Sequence, residues 1–501
     1  MNRQSTLTLN YIPQSLVDVG GATVGLVAID AGPRLAVLAP DGNPLSAAFE
    51  GDTTVYAGQS LLLGPLNAHN AAALRNLLPW LRPQPLGLRT SAGMGDRLGL
   101  ATPGHVRAVR ATGSVVAPIF AQQSIREMTR TGRSPQDVMD DATWGIFQEG
   151  WRLGVGADAD HLKVPADIDA CLAAGFSFFT IDPGEYVDSD AETMSGEALH
   201  AAVDELPWDQ LEDNLTTLAR RYLNQAFEVE RYTIRFDTRT LLEAAVKYGR
   251  AIAHVAAMYR HLANAAGDQP FELEVSVDET DTPTTHAQHL YIVRELRRLR
   301  VRWVSLAPRY VGRFEKGVDY IGDLADFESD FAVHAAIARV YGPYKLSLHS
   351  GSDKFRIYPI AARQTHGMVH LKTAGTSYLE ALHTVAALDP ALFREIYAFA
   401  RDRYPIDRAS YHVSADVSRT PRPEDVADGS LASLLDDFDA REILHVTFGS
   451  VLTTRREDGG FLFYDRLMAL LRRHPDAYAA NLERHFARHL RPFANLASSS
   501  A

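Results

Sequence analysis

Phe271-Glu-Leu-Glu-Val-Ser-Val-Asp278 alternates apolar and polar side chains over a full strand's length, with Glu272, Glu274, Ser276 and Asp278 on one face and Leu273, Val275 and Val277 on the other. Successive strand side chains point to opposite faces, so the run predicts a strand with one carboxylate-bearing side. Taken alone, such alternation is more often a half-exposed edge, because buried parallel strands usually read as continuous apolar runs. The pattern recurs, however. Lys345-Leu-Ser-Leu-His349 puts Lys345, Ser347 and His349 together, Met368-Val-His-Leu-Lys372 pairs His370 with Lys372, and Leu444-His-Val-Thr447 pairs His445 with Thr447. Several His, Glu and Lys side chains converging from different strands describe a parallel barrel whose interior is chemical rather than inert.

The surrounding sequence fits that reading. From about residue 90, short apolar stretches at 115–120, 159–164, 176–181, 271–277, 301–306, 345–349, 368–372 and 444–448 alternate with helical spacing, and eight strands close a (β/α)8 barrel. A ninth stretch at 411–415 keeps an open doubly wound sheet as the alternative. The expected fold class is therefore α/β: a TIM-like barrel over residues 89–501 with a largely helical insertion around 184–270, of which 241–263 is an example. Residues 1–88 read as a small β-rich subdomain, with runs at 24–29 and 35–38, turn signals at Asp30-Ala-Gly32 and Asp41-Gly-Asn-Pro44, and a linker at Pro79-Trp-Leu-Arg-Pro-Gln-Pro85. Two helices, 463–473 and 476–490, are parted by Pro475, and the final Ser-Ser-Ser-Ala reads as a frayed end.

Composition excludes several function classes. The 501 residues are 46% hydrophobic and 22% charged, an ordinary globular balance. A net charge of −12 without a basic block argues against nucleic acid or an anionic membrane as partner, although a few local cations can still hold a small anion. Cys171 is the only cysteine, so no intrachain disulfide and no thiolate metal cluster can form. The opening MNRQSTLTLNYIPQSL lacks a signal peptide's apolar core and no apolar run is long enough to cross a bilayer, so a cytoplasmic enzyme is expected. A homo-oligomer stays open.

Gly156-Ala-Asp-Ala-Asp-His161-Leu-Lys163 sets Asp160 directly before His161. Neighbours in a regular strand face opposite ways, so both serve one site only where the strand is ending. By itself the pair is common as an innocent surface turn; with His349 and a carboxylate it becomes a set able to hold a divalent ion with positions left for substrate oxygens. Two loops have oxyanion-binding composition. Ser347-Leu-His-Ser-Gly-Ser-Asp-Lys354-Phe-Arg356 brings Lys354 and Arg356 to small residues, and Gly93-Met-Gly-Asp-Arg-Leu-Gly99 leads into Ala101-Thr-Pro-Gly-His105. The second is spaced GxGxxxG after a poor strand, which disfavours a nicotinamide cofactor.

Five blocks, Gly95-Asp-Arg-Leu-Gly-Leu-Ala-Thr-Pro-Gly-His105, Ala159-Asp-His-Leu-Lys163, Glu274-Val-Ser-Val-Asp-Glu-Thr280, Gly317-Val-Asp-Tyr-Ile-Gly322 and Leu348-His-Ser-Gly-Ser-Asp-Lys354, resemble the tagaturonate epimerase family. The resemblance runs from about residue 90 to 450. It implies an isomerase that interconverts D-tagaturonate and D-fructuronate, acidic ketoses, with a divalent cation such as Mn, Zn, Ni or Co; some relatives act on tagatose and fructose. It further implies Asp160 as proton acceptor, Glu274 as proton donor, and His161 and His349 as metal ligands, with a third ligand from 313–319, Glu315 preferred to Asp319. Lys354 and Arg356 are the expected clamp for the substrate carboxylate, against a bland reading as solvated surface charges. The rival readings are a tagatose/fructose 4-epimerase, a metal-dependent sugar isomerase or class II type aldolase on the same barrel, and a carbohydrate-binding protein without turnover.

Overall fold

The computed structural model describes residues 9–29, 32–349, 352–373 and 375–494. Asp30 and Ala31 of the expected first turn, Ser350 and Gly351 of the loop after His349, the first eight residues and the terminal serines lie outside them.

The amino-terminal part is a five-stranded antiparallel sheet of β1 (Val17–Val19), β2 (Ala22–Ile29), β3 (Gly32–Ala39), β4 (Asp52–Tyr56) and β5 (Gln59–Gly64), in the order β1-β2-β3-β5-β4. Val24, Leu26, Leu35 and Val37 are fully buried and join the same core as the rest of the protein, so this sheet packs on the body of the molecule.

Strands β6 (Ser91–Gly93), β7 (Ala117–Ser124), β8 (Gly156–Leu162) and β9 (Phe178–Ile181) are followed by a two-stranded hairpin, β10 (Ala226–Val229) and β11 (Tyr232–Arg235). Then come β12 (Glu272–Ser276), β13 (Ser305–Ala307), β14 (Lys345–Leu348) and β15 (Val369–Lys372). Except for β10 and β11, these strands close in parallel in the order β12-β13-β14-β15-β6-β7-β8-β9. Seven of the eight expected runs are barrel strands; the eighth differs. Residues 444–448 lie at the junction of two helices, Phe438–Val446 and Phe448–Thr453, and residues 411–415 form no strand. A short apolar run cannot by itself distinguish a strand from a buried helix turn, and Asp437, whose side chain accepts from the Ala440 N–H at 2.8 Å, is the cap that starts this helix. The missing strand is β6, three small buried residues whose shortness hid them: Ser91 pairs with His370 on one side and Ala117 on the other.

Barrel closure puts each strand's polar face inside. The apolar set Leu273, Val275 and Val277 is buried on the outer side. At the floor, Glu272 accepts from the Leu86 N–H at 2.9 Å and from that of Gly87, while Lys345 Nζ donates to Ser91 Oγ at 2.9 Å and His370 Nδ1 lies 2.9 Å from the same hydroxyl. The residues 184–270 hold the long helix Thr238–Ala266, shorter helices and the β10–β11 hairpin. The carboxy-terminal helix Pro475–Ala494 packs on Thr102–Ala111, where a Cβ on Gly104 would come within 2.5 Å of Leu482 Cβ and 3.0 Å of the Ala479 carbonyl. We predict that Gly104→Val, which forces these two helices apart, lowers unfolding free energy by about 1–3 kcal/mol, read as a reduced urea midpoint. An unchanged midpoint would show that the helices do not depend on this close approach.

Candidate active site

At the carboxyl ends of the strands the polar side chains meet. Lys372, on β15 and 3% exposed, projects its ammonium between three carboxylates: Asp160 Oδ1 at 2.6 Å, Asp158 Oδ2 at 2.9 Å and Glu274 Oε1 at 3.0 Å. It also donates to Thr180 Oγ1 at 2.6 Å. Burial alone would lower the ammonium's pKa, but Asp158, Asp160 and Glu274 raise it above the usual lysine range, so Lys372 stays charged. In turn, burial raises Asp160 and Glu274, and Lys372 with the neighbouring imidazoles more than reverses this, holding both carboxylates well below their ordinary range.

Above this layer His161 and His349 face one another, ring centroids 5.1 Å apart. His161 reaches the site because β8 breaks there: its φ is +53°, the left-handed region that a branched or bulky side chain avoids, and the pairing with β9 shifts register between Ala159 and Leu162. This turn sends adjacent Asp160 and His161 to the same site. His161 Nδ1 is 3.1 Å from Asp182 Oδ2, and His349 Nδ1 is 3.3 Å from Asp278 Oδ1, so in both rings Nδ1 faces an orienting carboxylate. The Nε2 atoms point inward, His161's to Asp160 at 3.7 Å and His349's onto Glu274 in a short contact. Burial lowers the imidazole of His161, yet Asp160 and Asp182 raise it to about 10; burial and Lys372 lower that of His349, yet Asp278 and Glu274 raise it to about 9.

The opening above these groups is a cavity of about 410 Å³ lined by Arg126, Tyr310, Lys316, His349 and Tyr411 among others. A narrower recess shares Arg126, Lys316, His349 and Tyr411 and descends to Asp160, His161 and Lys372. Arg126 Nη2 and Lys316 Nζ both reach Glu279 Oε1, at 2.9 and 3.4 Å.

A family model described as tagaturonate epimerase matches residues 13–493. The chain belongs to the tagaturonate epimerase family. A tagaturonate/fructuronate epimerase of Thermotoga maritima is 45% identical over 433 residues, 86% of each chain. A glycerol-complexed crystal structure of the fructuronate-tagaturonate epimerase UxaE from Cohnella laeviribosi has a TM-score of 0.91 at 37% identity, covering 97% of this chain and 96% of that one. Its native form scores 0.92 at 36% identity and covers 98% of both. The protein is accordingly an isomerase of the epimerase type, and no described helix is long and apolar enough to cross a membrane.

In this epimerase the expected residues separate into two groups. Asp160, His161, Glu274 and His349 converge, and Asp160, His161 and His349 each offer a ligand atom within 4.8 Å of the others. Glu315 does not join them in any such set among the described residues. Its Oε2 instead accepts from Ser414 N–H at 2.9 Å and Oγ at 2.7 Å, beside Glu442, which accepts from the Ala415 N–H at 2.7 Å. Asp319 accepts from the backbone N–H of Tyr320 and of Arg356. Of the expected carboxylate clamp, Lys354 Nζ is fully buried and donates to the Glu315, Val318 and Ser352 carbonyls, and Arg356 is exposed outside both cavities. A lysine that close in sequence to His349 is indistinguishable from a ligand-binding one until its backbone partners are known. In the glycine loop, Asp96 takes the N–H groups of Leu98, Gly99 and Ala101 at 2.9, 2.8 and 2.6 Å, so the donors that an oxyanion needs are already engaged.

Residues missed by sequence reasoning are of two kinds. Lys372 was visible on a polar strand face without a role, and Asp182, just beyond β9, carries the signal of a charge at a strand's carboxyl end. Arg126, Lys316 and Tyr411 come from loops and helix starts with no periodic signal. The Glu315–Glu442 pair straps residues 414 and 415 next to Tyr411. Burial, then Glu315, raises Glu442 to about 8 from an ordinary 4.5. Folding therefore takes up a proton between those values, and stability falls as pH rises through that window. Glu442→Gln keeps an acceptor for Ala415 and is expected to flatten the decline in melting temperature between pH 5 and 8; an unchanged slope would place the titration elsewhere.

Proposed function

We propose that this epimerase interconverts D-tagaturonate and D-fructuronate by breaking and re-forming the C3–C4 bond, with a divalent cation on the Nε2 atoms of His161 and His349 beside Asp160. The observation that carries the reading is the ammonium of Lys372, 2.6 Å from Asp160 and 3.0 Å from Glu274, directly beneath the two imidazoles. The donor set suits such an ion: two imidazoles oriented through Nδ1, adjacent carboxylates in excess, and Glu274 Oε2 buried without a hydrogen-bond partner. When bound, the cation would supply Lewis-acid polarisation of the substrate ketone.

The centre inverted is β to the ketone, so removing an α proton cannot invert it. Asp160 accepts the proton of the C3 hydroxyl as the C3–C4 bond breaks, leaving a C3 aldehyde that bears the carboxylate and an enediolate at C4–C5. The aldehyde turns over, C4 adds to its other face, and Glu274 delivers a proton to the new C3 alkoxide. Lys372, bonded to both carboxylates, gives one of its protons to Glu274 as it takes up the one held by Asp160, ending as an ammonium again, so the count balances and either direction is served. Arg126 and Lys316, which line both the outer cavity and the recess, receive the substrate carboxylate in place of Lys354 and Arg356, and burial in the recess would keep the cleaved fragments together. The reaction class sets this apart from the isomerase and aldolase readings: no aldose and no free fragment leaves the site.

Chelator-stripped protein incubated with D-tagaturonate in D2O, with and without added Mn, Zn, Ni or Co, tests the proposal. Metal-dependent D-fructuronate with no deuterium at C3 or C4 is expected. Deuterium at C3, or equal conversion in chelator, would sink the mechanism or the cation respectively; conversion of tagatose alone would replace the substrate. Arg126→Ala is expected to raise KM for the uronate about 10- to 100-fold, the loss of one charge-assisted hydrogen bond, with a smaller effect on neutral tagatose. An equal effect on both would remove Arg126 from carboxylate recognition.

A further inference from the structure

On the outer wall of the barrel, a second group of histidines and a carboxylate sits between two helices. Leu324–Val340 places Asp330 and His334 one turn apart on one face, and His286 opens the helix His286–Arg298 opposite them. His286 Nε2 is 2.9 Å from Asp330 Oδ1, His334 Nε2 is 3.5 Å from Asp330 Oδ2, and the three ligand atoms lie within 4.8 Å of one another. Among the described residues the ion-pair partners of Asp330 are both histidines, with no lysine or arginine.

His334 is fully buried, and neither its Nε2 nor Asp330 Oδ2 has a hydrogen-bond partner. Its other nitrogen is committed: Nδ1 is 2.8 Å from His289 Nδ1, and His289 Nε2 is 2.8 Å from the Tyr344 hydroxyl. Only one proton fits between the two Nδ1 atoms. With that proton on His334, the chain runs from His334 to His289 to Tyr344, and the Nε2 lone pair of His334 faces a carboxylate. With the proton on His289 instead, His334 Nε2–H points at Asp330 Oδ2 across 3.5 Å; with it on His334, the gap is satisfied when a cation lies between them. A ligating imidazole that donates its second N–H to a fixed partner is how metal-binding histidines are held.

We propose that His286, Asp330 and His334 form a second divalent-cation site, distinct from the catalytic centre, for a first-row transition metal of the zinc, cobalt or nickel class. Two imidazoles and one carboxylate suit those ions better than magnesium or calcium. Tetrahedral bonds of about 2.0–2.2 Å keep ligand atoms roughly 3.3–3.6 Å apart; the His334 to Asp330 Oδ2 separation of 3.5 Å falls in that range, and the His286 to Asp330 Oδ1 separation of 2.9 Å would open slightly around an ion. His286 and Asp330 are partly exposed, at 35% and 17%, which gives an ion a way in. The bound ion would tie the two helices together. It would also steady Tyr310, whose ring lies 5.5 Å from that of His334 and whose hydroxyl donates to the Ser347 carbonyl at 3.2 Å.

The test uses zinc and the full chain. In a His161→Ala/His349→Ala background, which removes the catalytic ligands, elemental analysis after desalting from zinc buffer is expected to find about one zinc per chain. Adding His286→Ala is expected to abolish it, together with the zinc-dependent rise in melting temperature. A background that folds but holds no zinc overturns the proposal, whatever the fate of the catalytic cation. If that background does not fold, wild type and His286→Ala are compared directly: loss of one zinc equivalent is expected, and equal zinc content overturns the proposal.

Discussion

A single ammonium organises this barrel. Lys372 stands on β15 within 3.0 Å of carboxylates from β8 and β12, so three strands that are distant in sequence are fastened through one side chain at 3% exposure. Each buried ion forfeits several kcal/mol of hydration, and the cluster tolerates this only because every member faces opposite charge. Three carboxylates against one lysine still leave negative charge in excess. His161 and His349, whose imidazoles are raised to about 10 and about 9, answer it.

The second constraint is the break in β8. A regular strand would turn either Asp160 or His161 away from the interior, and the left-handed backbone at His161 brings both in at a cost of about 1–3 kcal/mol. Asp182 and Asp278, through the Nδ1 atoms, fix the two rings with Nε2 inward. Strain, orienting carboxylates and the lysine thus act on the same few atoms, which is how a preorganised site differs from an ordinary polar core.

Most of this was legible where periodicity carries information. Polar alternation in 271–278, 345–349 and 368–372 announced interior faces, and Asp160, His161, Glu274 and His349 do converge. Legibility failed where meaning depends on a partner distant in sequence. Residues 444–448 have strand composition but follow the Asp437 cap, and β6 is too short to announce itself. Glu315 and Lys354 have the composition of ligand-binding residues, yet one accepts from the Ser414 N–H and hydroxyl and the other is spent on three carbonyls. The role of Lys372 emerges only when closure brings β8 and β12 to it.

The account rests on Lys372 serving both carboxylates, and Lys372→Met tests that most directly. With folding verified by near-ultraviolet circular dichroism and metal content measured alongside, uronate epimerisation is expected to fall by about 100-fold or more, as for loss of a proton-transfer group, while binding of the proposed cation is unchanged. Turnover within tenfold of wild type in a folded, metal-loaded Lys372→Met protein would contradict it.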